Sequence, residues 1–570
     1  MKKNLVFVPI KSNFKKNRIN IILGKWHYEG FVKNNYKLHP SKNNSLPEIP
    51  LRKNFSYIKK KYKEKVKIFK SFLNETHNIN ESSKYWEIII GPFIYRSLII
   101  LYDRWSSLKY SLENDNISEV NISDYDFKEL ITSDYYEFEI NKSNKNLNDF
   151  IYSEALKILI KNTNKTKLRV KSIKRRKILI DRVNYKKSNF FSKFLNDIYC
   201  KAIQNQKYFF VKTYFTFKIN FLLNIKLLNL PCKINVFEQS IFDNKEFFQL
   251  RSELAKFKQT DNFDKFYNSI ILKILPLSYL ENFSQIKDII DKITIKPKII
   301  FSANSHKSND NFKIWIAEKS KSKSKLIMSD HGLILEKHGD SFNNKIYDKY
   351  IKWNYTNEKN TFQLPPNLFL KKKKYKRSLS NKILILLTTR ELYQCNFFDR
   401  SGNDLNDYIK LKEFVNSFED HIKDRFYFRV HTSSPMQEKI AEKIKIDFEN
   451  RIDVGKFDNI FNNYRLIIDT NPQTTFAQCL NSNIPVLIYY KQKFLQLEKK
   501  TSSLISKFKK DKIFFDNLKD LKKHLLIIDK NEYVWWDTDL IKKARQDFKK
   551  YCIFDKKNNL KYWENFFKKL

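Results

Sequence analysis

The spacing of apolar positions changes along the chain. In Arg465 to Tyr490, RLIIDTNPQTTFAQCLNSNIPVLIYY, two short unbroken apolar runs, Leu466 to Ile468 and Pro485 to Tyr490, flank a stretch with helical spacing. Such runs mark strands buried on both faces of a parallel sheet, so this segment predicts strand, polar turn, helix and strand. The rhythm begins earlier. Lys298 to Ser302, Leu326 to Ser329 and Tyr347 to Trp353 read as strands around a helix at Asp310 to Lys319, and Lys382 to Leu387 opens a second series. Arg425 to His431, RFYFRVH, alternates as a strand with one polar face. Upstream, Leu5 to Ile10 predicts a first strand. Asn74 to Trp105 predicts a helix capped by Asn78 with Glu81 three residues on, broken or kinked at Gly91 and Pro92 and resuming to about Leu112. Phe242 to Lys292 reads as largely helical, and residues 148–230 carry no clear period.

Leu364 to Asn381, LPPNLFLKKKKYKRSLSN, has two prolines and a lysine cluster, the composition of a linker. The expected organisation is an N-terminal acceptor-side lobe with helical insertions (1–372), a linker (373–381) and a C-terminal nucleotide-binding lobe (382–570). The fold class is α/β: two Rossmann-like lobes with a cleft between them and extra helices in the first.

Candidate chemistry collects where strands end, the usual ligand position in open α/β sheets. Thr474 and Thr475 lie where helix N-cap residues belong, and a helix start offers unpaired amides to an anion. Most such starts bind nothing, so the other strand ends matter. Ser329, Asp330, His331 and Gly332 close one strand, and with only 7 glycines in 570 residues a Gly there suggests a tight turn or close backbone approach. Glu336 and His338 follow in the same loop. RFYFRVH delivers Arg429, a rigid fork for phosphate, and His431. Asp103 and Arg104 are candidates for the cleft wall, with a helix-packing ion pair as their ordinary reading.

Composition narrows the class. Hydrophobic residues make up 42% and aromatics 15% of the chain, enough for packed interiors and too much for disorder. The five cysteines are scattered without CxxC spacing, which argues against a disulfide framework or zinc site and fits a reducing cytoplasm. No signal sequence is expected at residues 1–10, and Tyr85 to Tyr102 and Tyr208 to Leu230 read as core or interfacial elements rather than membrane spans. The net charge of +47 accompanies abundant Lys, Asn, Ile and Phe, a pattern of compositional drift, yet it draws the protein toward anionic membrane surfaces. Neither GxGxxG nor GxxxxGK[ST] occurs, and the two DxD triplets, at Asp124 and Asp537, follow no convincing buried strand, so no metal and no cofactor is expected.

Asp330-His331-Gly332, Arg429-Val430-His431 and Asp469 through Thr475 stand in the order found in inverting transferases of the GT-B type, and the chain resembles the CDP-glycerol glycerophosphotransferases and related capsule glycosyltransferases. In the resemblance the turn after Asp469 holds donor phosphates; here Asn471-Pro472-Gln473 lengthens it. The N-terminal half, with Leu23-Gly24-Lys25-Trp26, Tyr85-Trp86 through Gly91-Pro92 and Asp103-Arg104-Trp105, is similar to a narrower family of transferases encoded with surface-polysaccharide genes. The resemblance implies a cytoplasmic enzyme, peripheral on the inner face of the membrane, that moves a sugar or polyol phosphate from a nucleotide-activated donor to a glycan or lipid-linked acceptor in surface-polysaccharide, capsule or lipopolysaccharide assembly. His331 is then the catalytic base, with His431 at the reacting centre and Arg429, Asn471, Thr474 and Thr475 on the donor phosphates. The alternatives are a nucleic-acid-binding protein, prompted by charge alone, and a GT-B-like sugar-nucleotide epimerase or hydrolase.

Overall fold

The structure is a computed structural model that describes the chain except residues 1, 25–35, 46–49, 162–167, 175–179, 186–189, 232–236, 238–247, 258, 336–343, 370–374, 388–389, 398–400, 402–403, 431–434, 456, 493–494, 496, 530 and 555–557. Its described strands form three five-stranded sheets, all parallel. The first contains β1 (Lys3–Val6), β2 (Ile19–Ile22), β3 (Lys37–Pro40), β4 (Glu119–Asp124) and β5 (Arg169–Lys174), in the order β3-β2-β1-β4-β5. The second contains β6 (Tyr208–Val211), β7 (Ile299–Ser302), β8 (Lys325–Ser329), β9 (Lys349–Lys352) and β10 (Thr361–Gln363), ordered without reversal. The third contains β11 (Ile383–Leu387), β12 (Phe426–Val430), β13 (Leu466–Asp469), β14 (Val486–Tyr489) and β15 (Phe514–Phe515), in the order β12-β11-β13-β14-β15. The third sheet therefore reverses direction between β11 and β13, and its ligand crevice belongs beyond the carboxyl ends of those two strands.

Burial explains the strand patterns. Every residue of β7 and β13 is buried, as their unbroken apolar runs require, while β12 alternates buried and half-buried because it is an edge strand. The chain is α/β and GT-B-like: the second and third sheets are parallel lobes whose strand-end loops meet. Leu333, Leu335 and Trp353 from the second lobe share one core cluster with Leu384, Ile467 and Phe476 of the third sheet. Fully burying a side chain such as Leu333 contributes about 2 kcal/mol to that junction.

Several elements differ from the sequence expectation. The N-terminal region carries a whole sheet of its own, not helical insertions alone. β1 ends at Val6, short of Pro9, which has no amide to continue a ladder. Five helices matter below: α1 (Phe55–Thr76), α2 (Ser83–Asn114), α3 (Tyr135–Asn141), α4 (Lys145–Lys161) and α5 (Phe190–Ala202). α2 runs unbroken through Gly91 and Pro92, and its cap is Ser82, whose hydroxyl accepts from the Tyr85 amide at 3.1 Å, while Asn78 takes a left-handed φ of 50°. It is long and apolar enough to cross a membrane, yet 83% of its apolar window is buried within the protein, against α1, α4 and neighbouring helices. That packing outweighs the single hydrogen bond lost at Pro92. Next come α6 (Phe217–Lys226), α7 (Asp310–Lys321), α8 (Thr474–Ser482) and α9 (Asn559–Lys568). α9 leaves the third sheet and completes the core of the second, where Trp563 and Phe567 pack on Phe210 and Phe301 and the Tyr208 hydroxyl donates to the Phe567 carbonyl at 3.3 Å.

Candidate functional site

The turn after β13 is built by its own polar groups. Asp469 Oδ1 accepts from the Asn471 amide at 2.9 Å, the Thr470 hydroxyl donates to the Leu386 carbonyl at 2.8 Å, and the Gln473 amide donates to the Asn471 carbonyl at 2.7 Å. Gln473, not Thr474, is the N-cap of α8, and no side chain caps the helix. Thr474 and Thr475 are its first two helical residues, both half-buried. The Thr474 hydroxyl is turned to the other lobe, where it accepts from the Leu333 amide at 3.2 Å.

The loop after β8 meets this helix start. Asp330 is buried; its amide donates to the Ile351 carbonyl at 2.9 Å and its Oδ1 accepts from the Tyr350 hydroxyl at 2.7 Å, so it holds the loop and does not face solvent. His331 is exposed, its ring stacked on Tyr214 at 5.0 Å between centroids and 25° between planes. Tyr214 sits in the left-handed region at φ 60°, a strained position for an aromatic residue. A Cβ on Gly332 would lie 2.5 Å from Thr474 Oγ1, so only glycine lets the His331 loop come this close to the helix start.

Arg429 lies on the same face. Register pairs Leu386 with both Arg429 and Asp469, which places Arg429 in one row with Asp469, two strand spacings or about 10 Å away between Cα atoms. Its Nε donates to the Gly455 carbonyl at 3.2 Å and its guanidinium lies 6.0 Å from the Phe457 ring. Burial lowers its pKa and the neighbouring Asp453 opposes that shift. Burial also pushes the Asp469 carboxyl up to about 7, countered in part by the Asn471 amide, and its Oδ2 has no partner among the described residues. His431, Glu336 and His338 lie outside the described residues.

Asp103 and Arg104 do not line the junction. Arg104 is fully buried: its Nε donates to Asn148 Oδ1 at 2.8 Å, its Nη1 pairs with Asp103 Oδ2 at 3.0 Å and also donates to the Gln394 carbonyl, and its guanidinium stacks 5.2 Å over Tyr393. With Arg96, which donates to the Cys395 carbonyl, it clamps the loop after β11 onto α2. A buried guanidinium needs several acceptors, and here they are the Asn148 and Asp103 side chains and the Gln394 carbonyl, 290 residues away.

Sequence reasoning passed over Tyr214 and His306. Both follow the carboxyl ends of strands, β6 and β7, and the strand-end rule that selected His331 would have found them. Among the described residues, no group of three or more His, Cys, Asp or Glu side chains is placed to hold a metal ion.

None of the curated proteins matches the sequence. Among solved structures, the chain is similar to the MnaA–UDP co-structure of S. aureus, at 10% identity and a TM-score of 0.35, over 64% of this chain and 96% of that one. It is similar too to a candidate UDP-N-acetylglucosamine 2-epimerase of Listeria monocytogenes, at 12% identity and a TM-score of 0.34, over 64% of this chain and 97% of that one. The profile of the LIC12162 family transferase matches residues 3–567, and the chain belongs to that transferase family.

Proposed function

We propose that this transferase moves a glycosyl group, or a polyol phosphate, from a nucleotide-activated donor to a hydroxyl of a glycan or lipid-linked acceptor in surface-polysaccharide assembly. The observation that carries the reading is the contact of Gly332 and Leu333 with Thr474, which seats the His331 loop on an uncapped helix start at the reversal point of the third sheet. In the reaction His331 takes the acceptor hydroxyl proton as the new bond to oxygen forms. The bond between the transferred group and the donor phosphate breaks, and the nucleoside phosphate leaves with the electron pair. Its added negative charge falls on the amides of Thr474 and Thr475 and on the Arg429 guanidinium. His431 and Asn471 complete the donor side in this reading, and no cofactor enters it. Asp330 positions His331 through Tyr350 rather than touching substrate.

A thermal-shift panel of nucleoside mono- and diphosphates tests the donor half. A ligand at about 100 times its dissociation constant stabilises by about 2.7 kcal/mol, and Arg429→Ala loses that shift. Salt-sensitive oligonucleotide binding with no response to any nucleotide would favour the nucleic-acid reading instead, and donor breakdown unaffected by any acceptor would favour a hydrolase.

A further inference from the structure

The turn from Lys212 to Thr216, between β6 and α6, holds two left-handed residues, Lys212 at φ 42° and Tyr214 at φ 60°. Glycine and asparagine enter that region readily, whereas a tyrosine there crowds its own backbone. Of the twelve non-glycine residues with positive φ among the described residues, six are asparagine, so the tyrosine calls for a cause. Core packing is not that cause, since Tyr214 is 38% exposed and it is the neighbouring Phe215 that joins the apolar cluster beside the turn.

The turn is fixed from outside. The Ala303 amide, after β7, donates to the Lys212 carbonyl at 3.3 Å. Asn367 is buried; its Nδ2 donates to the Thr213 carbonyl at 2.8 Å, while its Oδ1 accepts from Trp353 Nε1 at 3.2 Å. The Phe215 ring packs on Trp563 of α9 at 5.0 Å between centroids. A strained conformation persists only where its surroundings over-determine it, and such places cluster at functional sites. Here the strain makes a contact. β7 stands between β6 and β8, which puts their ends about 10 Å apart, yet the Tyr214 and His331 rings stack, 5.0 Å between centroids and 25° between planes. His331 is exposed, and a flat partner restricts the plane its ring can take. The same phenol face attracts an imidazolium, the form the ring assumes once it has accepted a proton.

We propose that Tyr214 is a positioning residue for His331. The strained turn after β6 holds the phenol ring against the imidazole and so fixes the plane in which His331 meets the acceptor hydroxyl. This role rests on the transferase reading above, in which His331 is the base; the stack and the strain do not.

The test compares four proteins as full chains: wild type, Tyr214→Phe, Tyr214→Ala and Tyr214→Gly. Each is measured by NMR with labelled histidine, by thermal melting and by transfer rate, and His331→Gln identifies the His331 ring signal by its absence. Tyr214→Phe keeps the wild-type signal and rate. Tyr214→Ala and Tyr214→Gly move the His331 signal downfield, because the ring current is lost, and lower kcat about tenfold at unchanged donor KM. Their thermal shift with nucleoside diphosphate equals that of the wild type. Tyr214→Gly melts above Tyr214→Ala, the reverse of the usual order, since only glycine relieves the left-handed strain. The proposal is overturned by a His331 signal unmoved in Tyr214→Ala, by Tyr214→Ala working at the wild-type rate, by Tyr214→Phe as slow as Tyr214→Ala, or by Tyr214→Ala melting above Tyr214→Gly. The reading beneath it fails differently: a wild type with neither nucleotide shift nor transfer removes the base role of His331, and the positioning role with it.

Discussion

At the residue scale, Gly332 carries the most information, because its missing Cβ is what allows two lobes to touch. A methyl group there meets Thr474 Oγ1 at 2.5 Å, so the hydroxyl that accepts from the Leu333 amide has to shift. Gly332→Ala is expected to cost about 2 kcal/mol of stability, and Gly332→Ala with Thr474→Ala to recover part of that loss by removing the opposed oxygen. Urea denaturation of the two single variants and the double variant measures the coupling; simple additivity would place the contact elsewhere. Asp469 makes a second prediction, in pH. Its folded pKa is raised, from 3.8 to about 7, so between those values the native protein binds more protons than the unfolded chain and stability falls as pH rises. At about 1.4 kcal/mol per unit the linkage is of order 4 kcal/mol as an upper bound. Asp469→Asn lacks that slope, so the wild type loses ground to it from pH 4 to pH 7 and runs parallel below. A constant difference between their melting temperatures across that range would contradict the assignment.

Elements were legible in the sequence where burial alone decides the pattern. β7, β8, β11, β13 and β14 are unbroken apolar runs because helices cover both sheet faces, and α8 follows from the polar turn between two of them. Of the first sheet only β1 was legible, at Leu5 and Val6. β3 (KLHP) and β5 (RVKSIK) are its edge strands, largely exposed, and pair through backbone groups that leave no trace in side-chain period. α2 runs through Pro92 without the break that local propensity favours, because long-range packing overrides it. Arg104 and Asp103 form the ion pair of their ordinary reading, at 3.0 Å, whereas the groups that complete the satisfaction of Arg104, at Gln394 and Cys395, belong to another lobe and leave no local trace in the sequence. The clamp is an element-scale device, and Arg104→Ala leaves Asp103 and a buried carbonyl without their donor. It is expected to cost about 4 kcal/mol and to expose the loop after β11 to protease, whereas Lys109→Ala, an exposed position on the same helix, changes neither. Unaltered melting in Arg104→Ala would show that the lobes are held by other contacts.

For the whole molecule, the excess of positive charge meets two exposed amphipathic faces. α5 exposes Phe191, Phe194, Leu195 and Ile198 at helical spacing, and α6 exposes Phe217, Phe221 and Ile225 every fourth residue, with lysines such as Lys201, Lys218 and Lys226 beside them. Such faces suit a surface of anionic lipid, the setting of a lipid-linked acceptor. Sedimentation with vesicles containing phosphatidylglycerol is expected to carry the protein down at low salt, and Phe194→Glu with Phe221→Glu to leave it in solution; equal binding of the variant, or of neutral vesicles, would count against a peripheral location. The central claim concerns the junction itself, that an imidazole on one lobe activates the acceptor hydroxyl while the other lobe holds the leaving group. It is tested most directly by His331→Ala, assayed in parallel for nucleoside diphosphate binding by thermal shift and for transfer to acceptor. The account predicts a nucleotide shift equal to that of the wild type together with a rate lowered at least about a hundredfold; transfer at the wild-type rate would contradict it.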